Sequence, residues 1–220
     1  MQTSLKFKTA LAALAVATFA TVAGAQVPCL NRGNFSLGTR LGFSTATTDV
    51  KVEGTSTGAG GNTSLQLNIS PSIGYFFADN FNAGLGMDYL LVGSDDKSNS
   101  SGGTDKSNDS RLLFGPYLRY YIPIGDDQAF FIGGVSGFGR SKTQITVDGN
   151  QQNITNNITS LGIGPGFTIF SNNCLALETQ LKYNYGISKN SVETNGIATT
   201  TKTFTNAFDF VVGATYYFTR

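Results

Sequence analysis

Residues 70–89 read SPSIGYFFADNFNAGLGMDY. Two alternating runs flank a tight turn at Ala78-Asp79-Asn80, and alternation with a period of two is the signature of a strand with two unlike faces. One face carries Ile73, Tyr75, Phe77, Phe81, Leu85 and Met87. The other carries Ser70, Ser72, Gly74, Asn82, Gly84 and Asp88. The apolar face packs either on a protein core or against lipid, and the rest of the chain decides which.

Six further segments of the same kind bring the pattern to eight alternating segments, at about 34–47, 63–77, 81–93, 110–122, 129–142, 157–170, 174–186 and 204–218. Each approaches the roughly 9–11 residues that cross a bilayer as a tilted strand. In the second, Leu65, Leu67, Ile69, Pro71, Ile73, Tyr75 and Phe77 oppose Ser64, Gln66, Asn68, Ser70, Ser72, Gly74 and Phe76. In the last, Phe208, Phe210, Val212, Ala214, Tyr216 and Phe218 oppose Asp209, Val211, Gly213, Thr215 and Tyr217. The fifth, AFFIGGVSGFGRS, leaves its phase open.

The chain of 220 residues is only 13% charged, with fifteen basic and fourteen acidic side chains, 27 glycines and no histidine or tryptophan. That near-neutral balance carries no basic patch for nucleic acid. Residues 1–25 have the make-up of a cleaved export signal: Lys6 and Lys8, an apolar run from Ala10 to Val22, then Ala23-Gly24-Ala25. Residues 26–33 follow as an N-terminal periplasmic segment. The stretch before Cys29 lacks the small apolar run expected ahead of a lipidated cysteine. No later apolar run reaches the ~20 residues of a membrane helix. An exported membrane protein without such helices has to close its strands into a barrel, because lipid leaves an unpaired backbone group unsatisfied. The expected fold is therefore all-β, an eight-stranded antiparallel up-and-down transmembrane barrel spanning 34–220.

The connections alternate in length. ADN (78–80), PIGDDQ (123–128) and SNN (171–173) are short, while 48–62, 94–109, 143–156 and 187–203 are long and polar. VDGN at 147–150 is placed to close a hairpin extended beyond the membrane. Short turns at one end and long loops at the other are the habit of outer-membrane barrels. Pro71, Pro116 and Pro165 recur at one phase of alternate segments, with Val212 at the fourth place, as in four repeated hairpins. A proline cannot donate to a ladder, so a bulge or a skipped bond is expected at each.

PSIGYFFADNFNAGLGMDY, FGPYLRYYIPIGDDQAFFIGGVSGFG and the closing FDFVVGATYYF resemble the small outer-membrane β-barrel family that includes the OmpX-like and OmpA-barrel-like proteins. The resemblance covers the chain from about residue 34 onward. It implies an eight-stranded barrel in the outer membrane of a Gram-negative bacterium, inserted by the barrel-assembly machinery. Such barrels commonly finish on an aromatic residue; here Thr219 and Arg220 follow Phe218.

With the apolar face on lipid, the polar face lines a lumen that eight strands leave just wide enough for side chains to fill. Arg40, Asp88, Arg119, Glu178, Lys182 and Asp209 fall on that face, three cations and three anions. They read as a neutralised plug that fixes register, with an ion path or gate as the alternative. Tyr117, Tyr121 and Tyr217 would fill the base, and Tyr75, Phe77, Phe81, Tyr120, Phe170 and Phe218 would form an interfacial girdle. Without histidine a Ser-His or Asp-His catalytic site is ruled out, and with two cysteines a transition-metal site lacks ligands. No catalytic residue, cofactor or metal is expected.

Cys29 and Cys174 follow the export signal into an oxidising compartment, and both fall at the short-turn end. They are expected to form a disulfide that ties the N-terminal segment under the barrel; the alternative is two unrelated small residues. The functional expectation is a non-enzymatic barrel that supports envelope integrity or presents loops for adhesion to an unidentified surface ligand. A narrow pore for small molecules is the alternative.

Overall fold

A computed structural model describes residues 27–52, 55–56, 63–95, 106–147, 150–171, 174–194 and 197–220. The expected export signal lies outside the described residues. Eight long strands are present: β1 (Phe35–Val52), β3 (Thr63–Ala78), β4 (Phe81–Asp95), β5 (Lys106–Pro123), β6 (Gln128–Val147), β7 (Asn150–Phe170), β8 (Leu175–Thr194) and β9 (Ile197–Phe218). A two-residue strand, β2 (Thr55–Ser56), pairs with the end of β1. Every long strand pairs antiparallel with its sequence neighbour, and β1 also pairs with β9. The sheet is thus a closed up-and-down barrel, and closure removes the unpaired edges that lipid would not tolerate. Among the described residues no helix is long and apolar enough to cross a membrane.

The sequence alternation becomes an inside and an outside. On β3, Leu67, Ile69, Ile73, Tyr75 and Phe77 are exposed, while Gln66, Asn68, Ser70, Ser72 and Phe76 are buried. This is the reverse of a soluble protein, and it answers the opening question: the apolar face is the outer wall. The fifth long strand, β6, takes the phase with Phe130, Ile132 and Phe138 outward and Ala129, Phe131, Gly133 and Gly137 inward.

Aromatic rings gird the wall at two levels. At the short-turn end Phe35 meets Tyr75, Phe81 meets Tyr120, and Tyr216 meets Phe218, with ring centroids 4.9, 4.5 and 4.8 Å apart. At the other end Tyr183 lies 5.2 Å from Phe208, and Tyr185 stacks on Phe204 at 6.4 Å. Phe170 corrects the expected girdle. It is 5% exposed and points into the lumen, because it shares the inward phase of Ile158 and Thr168 on β7.

The prolines cause skipped rungs without a change of register. The β3–β4 ladder passes from Ile69↔Tyr89 to Ser72↔Gly86, β5–β6 from Phe114↔Phe138 to Tyr117↔Val135, and β7–β8 from Ile163↔Tyr183 to Gly166↔Gln180. On the opposite side each proline keeps its place, as Thr39↔Pro71, Leu85↔Pro116 and Ile132↔Pro165. The ring removes only the donor that would face the following strand. Val212 sits in continuous ladders on both sides. The glycine preceding two of the prolines makes room: a Cβ on Gly115 would strike the Ser136 carbonyl, and one on Gly164 the Leu181 carbonyl. The one register shift in the β3–β4 pair lies elsewhere, between Phe76 and Ala78.

The long connections expected at 143–156 and 187–203 are largely strand. Pairing continues to Val147↔Asn150 at the tip of β6–β7 and to Thr194↔Ile197 at the tip of β8–β9. The first extension is the one that VDGN is placed to close; the second is unexpected, because alternating Thr, Asn and Ser residues without a clear apolar face still make good ladders. At the short-turn end Asn80 takes a left-handed conformation (φ 65°), which a short amide side chain tolerates and a two-residue turn demands.

Candidate functional site

The inward faces of the strands build the site in three layers. At the short-turn end lies an aromatic floor. Phe76, Tyr121, Phe170 and Tyr217 occupy equivalent places at the base of β3, β5, β7 and β9, and Phe131 of β6 joins them. Each of the four donates its backbone N–H to the residue just before the strand it pairs with: Phe76 to Asn34, Tyr121 to Asn80, Phe170 to Asp127 and Tyr217 to Cys174, at 2.7–2.9 Å. Each also follows Pro71, Pro116, Pro165 or Val212 by five residues. The repeat seen in the sequence therefore ends in a ring of inward aromatics. Phe76 stands 5.8 Å from both Tyr121 and Tyr217, and Phe170 stands 5.3 Å from Tyr217. Full burial of such a ring contributes about 1.5–3 kcal/mol.

The N-terminal segment closes this end. A 3-10 turn at Pro28–Leu30 buries Val27, Cys29 and Leu30 against the aromatic floor. Its backbone is held by bonds from Gly33 N–H to the Phe76 carbonyl (2.8 Å) and from Asn80 N–H to the Leu30 carbonyl (2.9 Å). The buried Asn34 amide donates to the carbonyls of Pro28 (2.9 Å) and Cys29 (3.2 Å). Cys29 and Cys174 form a disulfide, with Cα atoms 5.6 Å apart.

Above the floor lies the first charge layer. Arg119 Nη1 pairs with Glu178 Oε2 at 3.0 Å, with side chains 4% and 0% exposed. Tyr217 donates its hydroxyl to Glu178 Oε1 at 2.6 Å and lies 3.0 Å from the Tyr121 hydroxyl, and Arg119 donates to Tyr121 at 3.3 Å. The guanidinium also lies over the rings of Tyr117 (4.9 Å) and Phe131 (5.3 Å). Tyr117, expected at the base, stands at this higher level. A desolvated ion pair gains from further hydrogen bonds, and the two tyrosines supply one to Glu178 Oε1 and one to Arg119 Nη1, while the buried Arg119 Nη2 has no hydrogen-bond partner among the described residues and lies among the flanking rings.

The second charge layer centres on Lys182, whose Nζ lies 3.4 Å from Asp209 Oδ2 and 3.8 Å from Asp88 Oδ2. Lys182 and Asp209 are direct register partners on β8 and β9. Asn184 donates to the same Asp209 oxygen. Arg40 bridges the layers: it donates to Gln180 Oε1 at 3.0 Å, and Gln180 Nε2 donates to the Gly164 carbonyl at 3.1 Å. Gly164 is the residue before Pro165, so the glutamine amide satisfies a carbonyl beside the skipped rung. Glu178 thus takes Arg119, and Arg40 takes Gln180.

Beyond the charges, on the long-hairpin side, the lumen opens into a cavity of about 150 Å³. Its lining mixes Asn68, Asn184, Asp88 and Lys182 with Leu90 and Ile158. All six charged residues singled out in the sequence face the lumen, in two groups with Arg40 between them. Sequence reasoning missed Phe131, because the phase of β6 was open, and Gln180, an uncharged residue. It also missed Arg111, which lines the cavity and holds the inward phase two rungs from Leu113. Among the described residues no group of acidic, histidine or cysteine side chains could hold a metal ion.

Solved structures with a similar course include three from different bacteria. Ail, the attachment invasion locus protein of Yersinia pestis, solved with the heparin analogue sucrose octasulfate, is 14% identical with a TM-score of 0.47, covering 85% of this chain and 99% of its own. OprG from Pseudomonas aeruginosa is 16% identical with a TM-score of 0.48, covering 89% and 100%. The outer membrane protease OmpT from Escherichia coli is 9% identical with a TM-score of 0.44, covering 84% and 97%. No curated protein matches the sequence. The model of a family described as the outer membrane protein beta-barrel domain matches residues 9–218, and the chain belongs to that family, an outer-membrane protein set among lipids.

Proposed function

We propose that this protein is a non-enzymatic surface barrel, which supports envelope integrity or presents its long hairpins for attachment, and which passes no solute through its lumen. The observation that carries this reading is the Arg119–Glu178 pair, buried across the lumen at 3.0 Å above an aromatic floor. Opening a path would separate two desolvated charges, strip Glu178 of its tyrosine hydrogen bond and displace the disulfide-held segment. The short turns belong in the periplasm and the long hairpins outside the cell, the usual arrangement for such barrels. The lack of any histidine supports the non-enzymatic part. The partners are membrane lipid, the barrel-assembly machinery during insertion, and a surface ligand met by the hairpins.

The cavity of about 150 Å³ favours a second reading, a narrow conduit entered from the hairpin side. Conductance in a planar bilayer separates the two. The refolded protein is expected to give no resolved steps. Sustained conductance that changes when the hairpins are shortened would instead establish the conduit.

A further inference from the structure

The outer wall gathers like positive charges in one row. Lys189 of β8 is the register partner of Lys202 of β9, and Lys202 is the register partner of Lys51 of β1. In the other direction Lys189 faces Asn157 of β7, which faces Arg140 of β6. Lys189, Lys202 and Arg140 are exposed and share the outward phase of Tyr185, Phe208 and Phe138 on their strands. Direct cross-strand partners hold their Cβ atoms about 4.5–5.5 Å apart, so like charges there repel. Within two residues of this row along each strand the sequence adds Lys142, and acids only at Asp49 and Glu53. Both acids belong to the stretch around Lys51: Asp49 pairs with Phe204, two residues from Lys202, whereas β6 and β8 bring no acid within two residues of the row.

The height of the row says what supplies it. Outward apolar residues on β8 run from Leu175 to Tyr185. Ten residues of a strand tilted by about 45° climb roughly 23 Å, the thickness of the apolar band of such barrels. Lys189 stands four residues further, about 9 Å higher, in the headgroup layer. Directly below it, Tyr185 stacked on Phe204 offers an aromatic surface to acyl chains.

We propose that Lys189, Lys202 and Arg140 form a docking site for the phosphate groups of an anionic outer-leaflet glycolipid. The acyl chains of that lipid lie on the adjoining apolar wall. The site rests on the outward placing of the long hairpins. Its headgroup neutralises lysines that the ladder forces together, which a free anion in water does only weakly.

The test uses the full chain folded in dodecylphosphocholine micelles, with diphosphoryl lipid A, dephosphorylated lipid A or inorganic phosphate as probes. The readouts are lipid adducts in native mass spectrometry and the temperature at which the heat-sensitive gel mobility shifts. Diphosphoryl lipid A is expected to bind and raise that temperature, and the other two probes to do neither. The triple variant Lys189→Gln, Lys202→Gln, Arg140→Gln should lose about ten-fold or more in affinity, a loss of at least about 1.4 kcal/mol. Without lipid the triple variant should melt no lower than the parent, since it removes like-charge neighbours. The charge-keeping pair Lys189→Arg, Lys202→Arg should retain binding. Equal binding by the triple variant, or by dephosphorylated lipid A, overturns the proposal, and binding of inorganic phosphate that competes with the lipid turns the site into a free-anion site. Orientation is checked separately by antibody access to a tag between Asp148 and Gly149 in intact cells. A hidden tag with binding retained overturns the orientation; an exposed tag with binding absent overturns the site.

Discussion

Arg119 and Glu178 meet at 3.0 Å from β5 and β8, strands three places apart in the barrel, so their ion pair spans the lumen and braces opposite walls. Breaking it from one side leaves a buried charge alone. Glu178→Leu is expected to cost about 3–5 kcal/mol. The double variant Arg119→Met, Glu178→Leu should recover most of that loss, because it removes both desolvated charges. Urea unfolding in lipid vesicles measures both, and a single variant as stable as the parent would show that the pair does not brace the barrel.

Lys182 has two acidic partners, and Asp209 and Asp88 share it. Lys182→Met therefore takes the ammonium away from two carboxylates and leaves Asp209 the Asn184 amide, whereas Asp209→Asn leaves Lys182 its contact with Asp88. The lysine variant should be the less stable of the two. A double-mutant cycle on Lys182 and Asp209 should show a coupling of about 0.5–3 kcal/mol. Additive effects would mean that their direct register pairing carries no interaction energy.

Leu181 and Lys182 are adjacent and opposite in role: the leucine is 61% exposed on the outer wall and the lysine 7% exposed in the lumen. Leu181→Arg near the midplane should destabilise the barrel in lipid by ~2–4 kcal/mol. Leu181→Ile should leave the folded fraction, read from heat-modifiable gel mobility, close to the parent. An arginine tolerated at 181 would mean that this face does not meet lipid.

Pro116 leaves a skipped rung between Phe114↔Phe138 and Tyr117↔Val135, yet the register on either side is the same. Val212 shows that a residue with an N–H fits the equivalent place in a continuous ladder. Pro116→Val is therefore expected to be neutral or to stabilise by up to about 1.5 kcal/mol through one added backbone bond. A loss of more than that would show that the proline ring itself shapes the wall.

The Cys29–Cys174 disulfide fixes the N-terminal segment to the start of β8. Digestion of non-reduced exported protein should release a linked peptide pair containing these two residues, seen by mass spectrometry. After reduction, the segment around Leu30 should become the first site of protease cleavage while the barrel keeps its gel mobility. Two free thiols in the exported protein would remove the covalent tether and leave only the backbone bonds of Gly33 and Asn80.

The alternation of residues 70–89, the eight segments and the inward phase of the six charged residues were all legible in the sequence. Their cause is local: successive strand side chains point to opposite faces, so a period of two assigns a side wherever the residues on the two sides differ in polarity. Where they did not differ, the assignment failed. In AFFIGGVSGFGRS both phases hold rings and glycines, and pairing with β5 and β7 decided that Phe131 faces the lumen. Phe170 reads as part of the girdle because an aromatic at a strand end suits either place; its spacing of five from Pro165, the same as inward Phe76 from Pro71, is the sign that it belongs to the floor.

Who pairs with whom was beyond the sequence. Arg119 and Glu178 are 59 residues apart and on non-adjacent strands. Their meeting depends on the closure of β1 on β9 and on the stagger of every ladder between. The same closure sets Lys51, Lys202 and Lys189 side by side, though the sequence shows them as scattered single charges. Strand periodicity is a property of one segment, whereas register around a closed barrel is a property of all eight together, and only the tertiary structure fixes it.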